Sequence, residues 1–321
     1  MPSVPARILI LKPSSLGDVV HTLPAVAAIR AHWPKSEIAW LINPEWAPLL
    51  AGNKDINRII EFPRRQFRGP RGWLKIPAWL ASLGGWTPDL ALDFQGLLRT
   101  ALIARFLGSK TIIGLSDARE GAGFFYHRTA RLPREPLHSV DRYLRLLREL
   151  DLGDVQKPTF PLPSGDRPNT DVPDEFLLLH PFSRGQGKSM EIVDVVRLCQ
   201  ELHPRKVVLV GGPRAVETLP GNVTNLLGKT TLAELIWLIR RAKFTVSVDS
   251  GPMHIAAAIT SRLLSIHTWS DPLLVGPYNG DAWIWKNAAI CQTKSYQPGS
   301  TQNTQAPIPS AIADFITTHV R

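Results

Sequence analysis

Apolar residues along this chain gather in short unbroken runs. The runs alternate with longer stretches in which apolar positions recur every three or four residues. Arg7–Lys12, Glu37–Ile42, Arg58–Phe62 and Leu90–Phe94 read as strands. Helical patterns cover about Asp18 to His32 and Leu97–Leu107. The pattern dissolves around residues 157–174, where Lys157-Pro158, Pro161, Pro163, Ser164-Gly165 and Pro168 form a linker. It then restarts, with strands at Phe176–His180, Lys206–Val210, Phe244–Val248 and Arg262–His267 and helices at Ile192–Leu202 and Leu232–Arg241. Strands separated by helices imply parallel pairing, so the fold class is α/β with two doubly wound layers. The expected domains are residues 1–165 and 174–309, facing each other across a cleft with ligands at the C-terminal strand ends. Thr293–Pro309 is polar and Pro-rich. A last helix, Ser310–His319, closes the chain, and residues 310–321 can pack back on the first domain.

Composition narrows the partners. The 321 residues suffice for two domains, and 44% hydrophobic content is ordinary for a soluble protein. No apolar run approaches the ~20 residues of a membrane span. A strand begins almost at once, at Arg7, so no signal peptide is expected. Two cysteines, Cys199 and Cys291, suit a cytoplasmic protein without disulfides and argue against structural zinc. The net charge of +10 points to anionic partners: nucleic acid, acidic lipid or phosphorylated glycan. Arg64, Arg65, Arg68, Arg71 and Lys75 crowd together with Phe67 and Trp73, and Gly69, Pro70 and Gly72 make the segment a loop. It is either a solvated basic loop or a landing strip for an acidic surface.

Candidate chemistry sits where strands turn into helices. Asp249-Ser250-Gly251-Pro252-Met253-His254 links an apolar strand to an Ala-rich helix. The first N–H groups of such a helix have no internal partner and favour an anion. Ser250 suits the N-cap, Pro252 the first turn, and Gly251 lets a ligand approach the backbone. A phosphate-bearing ligand, most simply a nucleotide, is implied. His180 to Lys188 follows an earlier strand with two glycines, but its spacing is not that of a P-loop. Lys188 can neutralise a diphosphate as a point charge, and Glu217, beyond Val210-Gly211-Gly212-Pro213, can accept from ribose hydroxyls. The dinucleotide fingerprint is missing, which argues against a nicotinamide enzyme. In the first half, Ser15 and Asp18 have capping-box spacing, which would occupy the carboxylate. Alternatively, Asp18 takes a proton from an incoming hydroxyl. His21 reads as structural. Asp93 and Gln95 follow a strand. Arg99, Arg119, His138 and Arg142 are surface residues singly, and a basic wall for an acidic acceptor together.

Several motifs then carry a resemblance. Lys12-Pro-Ser-Ser-Leu-Gly-Asp-Val-Val-His-Thr-Leu-Pro24, Asp93-Phe-Gln-Gly-Leu97, Ser116-Asp-Ala-Arg-Glu120, His138-Ser-Val-Asp-Arg142, Val246-Ser-Val-Asp-Ser-Gly-Pro-Met-His254 and Asp271-Pro272 with Gly276-Pro277-Tyr278 are similar to those of glycosyltransferase family 9. This family has the two-Rossmann GT-B fold and contains the bacterial lipopolysaccharide heptosyltransferases; the opening motif is closest to the heptosyltransferase I version. The resemblance implies an inverting, metal-independent transfer from a nucleotide diphosphate sugar, commonly ADP-heptose, with no cofactor. It implies Asp18 as general base. It implies Ser183, Lys188, Glu217, Asp249, Ser250, Gly251 and His254 on the donor. Arg99, Arg119, His138 and Arg142 fall where family members contact acidic inner-core sugars, and Arg64 of the basic segment is a further candidate for the acceptor. The implied acceptor is Kdo-lipid A. The implied place is the inner face of the inner membrane, reached from the cytoplasm by a monomer through residues 64–75. Ser189-Met190 stands where the family often has Trp-Pro, and the loop before Lys188 is about one residue longer. Both departures touch the donor side, so a family-9 enzyme for another nucleotide sugar and glycan stands as the alternative. A basic nucleic-acid-binding protein is the remaining one, with no stacking platform or recognition motif behind it.

Overall fold

A computed structural model describes residues 4–67, 69–185, 187–216, 218–298 and 309–320. The chain divides into two compact units, Met1–Pro163 and Ser164–Arg321, with the division inside the expected linker.

The first unit runs β1 (Arg7–Leu11), α1 (Leu16–His32), β2 (Glu37–Ile42), β3 (Arg58–Glu61), α2 (Gly69–Trp73), α3 (Ile76–Ser82), β4 (Leu90–Asp93), α4 (Leu98–Phe106), β5 (Thr111–Leu115), β6 (Arg128–Ala130) and α5 (Ser139–Leu144). Its sheet has the order β3-β2-β1-β4-β5-β6, parallel throughout. Ile8, Leu9, Ile10 and Leu11 are fully buried, as a central strand covered on both faces requires.

The second unit repeats the scheme with β7 (Leu177–His180), α6 (Ile192–Glu201), β8 (Val207–Leu209), β9 (Val223–Asn225), α7 (Leu232–Arg241), β10 (Phe244–Val248), α8 (Gly251–Ile259), β11 (Leu263–Ile266), α9 (Pro272–Val275), β12 (Trp283–Lys286), β13 (Ala289–Gln292) and α10 (Pro309–His319). The order is β13-β12-β11-β10-β7-β8-β9, and β13 alone runs antiparallel, to β12. In both units the strand order reverses beside the first strand, between β1 and β4 and between β7 and β10. A crevice opens at the carboxyl ends of such a pair. Lys12 and Asp93 stand at one switch point, His180 and Asp249 at the other.

Two expectations need correction. Residues 64–75 are not a loop throughout: a short helix, α2, covers Gly69–Trp73, with turns at Arg64–Phe67 and at Leu74 and Lys75. Phe67 is buried there, 5.3 Å from Phe62 and 5.6 Å from Trp79 between ring centroids, and this aromatic cluster pins the segment down. Arg64, Arg65, Arg71 and Lys75 remain exposed, and Arg68 lies outside the described residues. The terminal helix α10 packs on α6 of its own unit. Ile312, Phe315 and Ile316 complete a core with Cys199, Leu202 and Trp285. Arg205 also donates to the Val320 carbonyl at 2.7 Å. The apolar face of α6 needs that cover, so the second unit extends past residue 309.

Candidate active site

The turn after β1 delivers Asp18 to the carboxyl end of the first sheet. Asp18 Oδ2 accepts from Ser15 N at 3.1 Å and from Ser15 Oγ at 2.7 Å. That is the local capping interaction its spacing suggested. The other oxygen is held from far along the chain: Tyr143 on α5 donates its phenol to Oδ1 at 2.7 Å. Three donors act on a carboxylate with about four lone-pair directions, which leaves one on Oδ1. The side chain is still 37% exposed, so a ligand can reach it.

Lys12 completes this cluster. Its ammonium is almost fully buried, 3.9 Å from Asp18 Oδ1, and donates to the Phe94 carbonyl at 3.2 Å. It also lies 4.8 Å from the centre of the Tyr143 ring. Burial lowers the Lys12 pKa to about 8, against the pull of Asp18. For Asp18, burial favours the neutral form, but Lys12, Tyr143 and Ser15 outweigh it and hold the carboxyl well below its usual range.

Asp93 and Gln95 buttress the same loop. Asp93 is fully buried and accepts four hydrogen bonds: Gln95 N and Gly96 N at 3.0 Å, Thr100 Oγ1 at 2.9 Å and Tyr126 Oη at 2.8 Å. Burial raises its pKa against those four bonds. Gln95 Oε1 accepts from Ser14 N at 3.2 Å, so the turn after β4 touches the Asp18 loop at both Lys12 and Ser14.

The candidate acceptor residues are dispersed around this cluster. Arg142 forms a bidentate pair with Asp117, at 2.9 Å and 2.8 Å, and its guanidinium lies 5.1 Å from the Tyr143 ring centre. His138 caps α5 by accepting from Val140 N at 3.1 Å and meets His21 edge-on at 5.6 Å. Burial, and after it the nearby Arg64, lowers the Arg99 pKa, and among the described residues its buried Nε has no hydrogen-bond partner. Arg119 and Arg64 are exposed. Lys12 and Tyr143 were not among the sequence candidates. Lys12 had only its place in the opening motif, and Tyr143, 125 residues from Asp18, gave no local signal.

In the second unit, Asp249 follows β10 and Ser250 caps α8 in extended conformation without a side-chain cap bond. The Ser250 hydroxyl instead contacts the Val248 carbonyl at 3.0 Å and His180 Nδ1 at 3.2 Å. Lys188 Nζ donates to Asp249 Oδ2 at 3.0 Å, and His254 Nε2 lies 4.0 Å from Oδ1. Burial opposes the Asp249 charge, but His267, His254 and Lys188 prevail and lower its pKa. His267 is itself pushed down to about 4, chiefly by burial, so it is neutral at pH 7. His180 is likewise lowered to about 4. Ser183 N donates to Ser189 Oγ at 2.9 Å, which closes the loop before Lys188. Lys188, Asp249, Ser250, Gly251 and His254 therefore gather at one strand-to-helix turn, whereas Glu217 lies outside the described residues. Among the described residues, no group of three or more His, Cys, Asp or Glu stands where it could hold a metal ion.

Comparison with known proteins places this pair of crevices. A sequence profile of glycosyltransferase family 9 (heptosyltransferase) matches residues 79–304, well over half of the chain. The chain is 26% identical over 293 residues to the lipopolysaccharide core heptosyltransferase OpsX of Haemophilus influenzae, covering 86% of this chain and 82% of that one. It is 27% identical over 307 residues to lipopolysaccharide heptosyltransferase 1 of Escherichia coli, covering 89% and 93%. Among solved structures it is similar to E. coli heptosyltransferase WaaC with ADP, at 23% identity and TM-score 0.77, over 97% of this chain and 99% of that one. A family 9 glycosyltransferase from Veillonella parvula gives TM-score 0.77 at 19% identity, over 98% and 95%. The two doubly wound units are thus those of the GT-B fold, and the chain belongs to glycosyltransferase family 9 and is a glycosyltransferase.

Proposed function

We propose that this glycosyltransferase moves a heptose from ADP-heptose to the Kdo-lipid A inner core of lipopolysaccharide, with inversion at the anomeric carbon. The observation that carries the reading is the partly exposed carboxylate of Asp18, held by Tyr143, Ser15 and Lys12 at the strand switch point. The acceptor hydroxyl gives its proton to Asp18 Oδ1 while its oxygen bonds to the anomeric carbon. The bond from that carbon to the β-phosphate oxygen breaks, and ADP leaves with the electron pair. Lys188 and the N-terminus of α8 at Ser250-Gly251 stabilise the departing diphosphate, which supports transfer without a metal. Asp249 and His254 flank the sugar and diphosphate. Glu217 would serve the ribose.

Of the candidate acceptor residues, Arg64 and Arg119 are exposed and Arg99 has a buried donor unused among the described residues, which suits an acidic acceptor, while Arg142 is already paired with Asp117. The exposed cations of residues 64–75 suit an anionic bilayer, and we read the protein as a monomer lying on the inner face of the inner membrane. Among the described residues, no helix is long and apolar enough to cross a membrane. The name of the E. coli relative and the ADP in the WaaC complex support donor and acceptor. The test is mass spectrometry of Kdo-lipid A incubated with the enzyme and ADP-heptose. A product heavier by one heptose is expected. Transfer only from another nucleotide sugar would replace this reading with the alternative of a different family-9 donor.

The Lys12–Asp18 pair predicts a pH effect. Asp18 is held below the usual carboxylate range, so it stays ionised as pH falls through 5, and kcat should show no acid limb there. Replacing Lys12 with Met removes the cation that opposes burial. The Asp18 pKa then rises toward or beyond the ordinary value of about 3.9. The Lys12→Met variant should therefore acquire an acid limb that the wild type lacks, read from kcat against pH. Superimposable profiles would refute this coupling.

A further inference from the structure

Trp269 is an exposed indole beside the candidate donor site, and neither the core nor the capping of α8 accounts for it. Its side chain is 58% exposed. Lys188 Nζ lies 4.3 Å from the centre of its ring. The backbone on either side of Trp269 is tied down. His267, fully buried, is fixed by Ser265 Oγ at 3.0 Å and Ser270 Oγ at 2.9 Å. Thr268 Oγ1 donates to the Gly187 carbonyl at 2.8 Å, which fastens this segment to the loop that carries Lys188. Lys286 Nζ donates to the Thr268 carbonyl at 3.2 Å. The chain beside this mostly exposed ring is therefore tied down, and the Lys188 ammonium lies over the ring's face.

We propose that Trp269 is a positioning residue that holds Lys188 in place to meet the donor diphosphate. The inference rests on the reading of Lys188 as a diphosphate ligand. The physical reason lies in the other partner of Lys188. Its hydrogen bond to Asp249 at 3.0 Å fixes the ammonium, but a Lys–Asp pair has no net charge with which to attract a dianion. The π face of an indole also attracts a cation, and it does so without neutralising it. With Trp269 holding it, Lys188 keeps its place when the diphosphate draws it from Asp249. Less flexible side-chain motion then has to be lost on binding.

The test is calorimetric titration of the full chain with ADP. A cation–π contact at a half-exposed site shifts an equilibrium by roughly two- to tenfold. Trp269→Ala should weaken ADP by about fivefold within that range, and Trp269→Phe should recover most of it. In a Lys188→Ala background, Trp269→Ala should cost nothing further. Adenosine, which has no phosphate, should bind the wild type and Trp269→Ala alike. Unchanged ADP affinity in Trp269→Ala would overturn the proposal. So would a loss that persists without Lys188, because Trp269 would then stack on the ligand directly. If the wild type ignores ADP but binds UDP, GDP or inorganic pyrophosphate, the ADP reading falls and the Trp269 series is run with that ligand. If it binds none of the four, the diphosphate role of Lys188 and the proposal fall together.

Discussion

Replacing Asp18 with Ala should lower turnover by roughly 100- to 10,000-fold, the range in which a positioned general base contributes, and leave ADP affinity unchanged. The separation follows from the chain itself. Asp18 lies in the first unit, while Lys188, Asp249 and the start of α8 lie in the second. The Ala variant carries a structural cost that has to be distinguished from lost chemistry. Without the carboxylate, Lys12 keeps the Phe94 carbonyl, the Tyr143 ring and the weaker pull of Asp93 and Asp117, and a buried ammonium that loses its nearest counter-charge is unfavourable. Asp18→Asn is the control. Its amide oxygen can still accept from Ser15 N, so the turn is kept while the proton acceptor is lost. Both variants should show the same deep loss of kcat, with a thermal midpoint nearer wild type for Asn. Wild-type turnover by Asp18→Asn would remove Asp18 from the role of base.

Much of the fold was legible in the sequence for one reason. Parallel strands covered on both faces are apolar along most of their length, so β1, β2 and β4 stood out as unbroken runs, whereas β10 alternates, with Thr245 and Ser247 buried between its apolar positions. Thr231 and Glu234 form a capping box, with Glu234 Oε2 accepting from Thr231 N at 2.7 Å, and the expected start of α7 coincides with the observed one. The strands that escaped include sheet edges and two interior strands, β5, whose short run Thr111–Leu115 is broken by Gly114, and β12. β6 and β9 have three residues each, and their side chains are largely exposed or half-buried, so no apolar run marks them. The hairpin of β12 and β13 turns through Asn287 and Ala288, both at positive φ. An Asn-Ala turn lacks the glycine that usually announces such a hairpin.

The site was legible to the extent that its residues sit in local motifs. Asp18 beside Ser15, and Lys188 and Asp249 at strand ends, could be picked out because turn chemistry is written in neighbouring residues. Tyr143 reaches Asp18 from α5, and Trp269 reaches Lys188 from the loop after β11. Such pairings depend on which strands adjoin, and spacing along one chain does not encode that. The basic segment 64–75 shows the converse error. Gly69, Pro70 and Gly72 look like loop residues, yet the close approach of Gly72 to the Phe67 backbone is what lets the segment coil. A Cβ there would fall 2.5 Å from the Phe67 carbonyl carbon.

Replacing Asp93 with Ala should cost at least about 3 kcal/mol of stability, because each buried donor left unsatisfied costs about 1–3 kcal/mol and three, Gln95 N, Gly96 N and Tyr126 Oη, lose their acceptor. The backbone N–H groups of Gln95 and Gly96 cannot turn away, and the Tyr126 hydroxyl is aimed by its packing. The ring of Tyr126 lies so close over Gly114 on β5 that a Cβ there would fall 2.1 Å from it. The loss should spread to the catalytic loop, since the turn that Asp93 closes offers the Phe94 carbonyl to Lys12 and Gln95 Oε1 to Ser14 N. Asp93→Asn should be far milder. Its amide oxygen can take the two backbone N–H groups, and its amide nitrogen can donate to the two hydroxyls once these rotate. Thr100 Oγ1 already has the Leu97 carbonyl at 2.8 Å as another acceptor. Urea unfolding should therefore rank wild type, Asn and Ala in that order, with kcat following the same order and ADP affinity constant. An Asn variant as unstable as Ala would show that the negative charge, rather than the pattern of acceptors, holds this turn together.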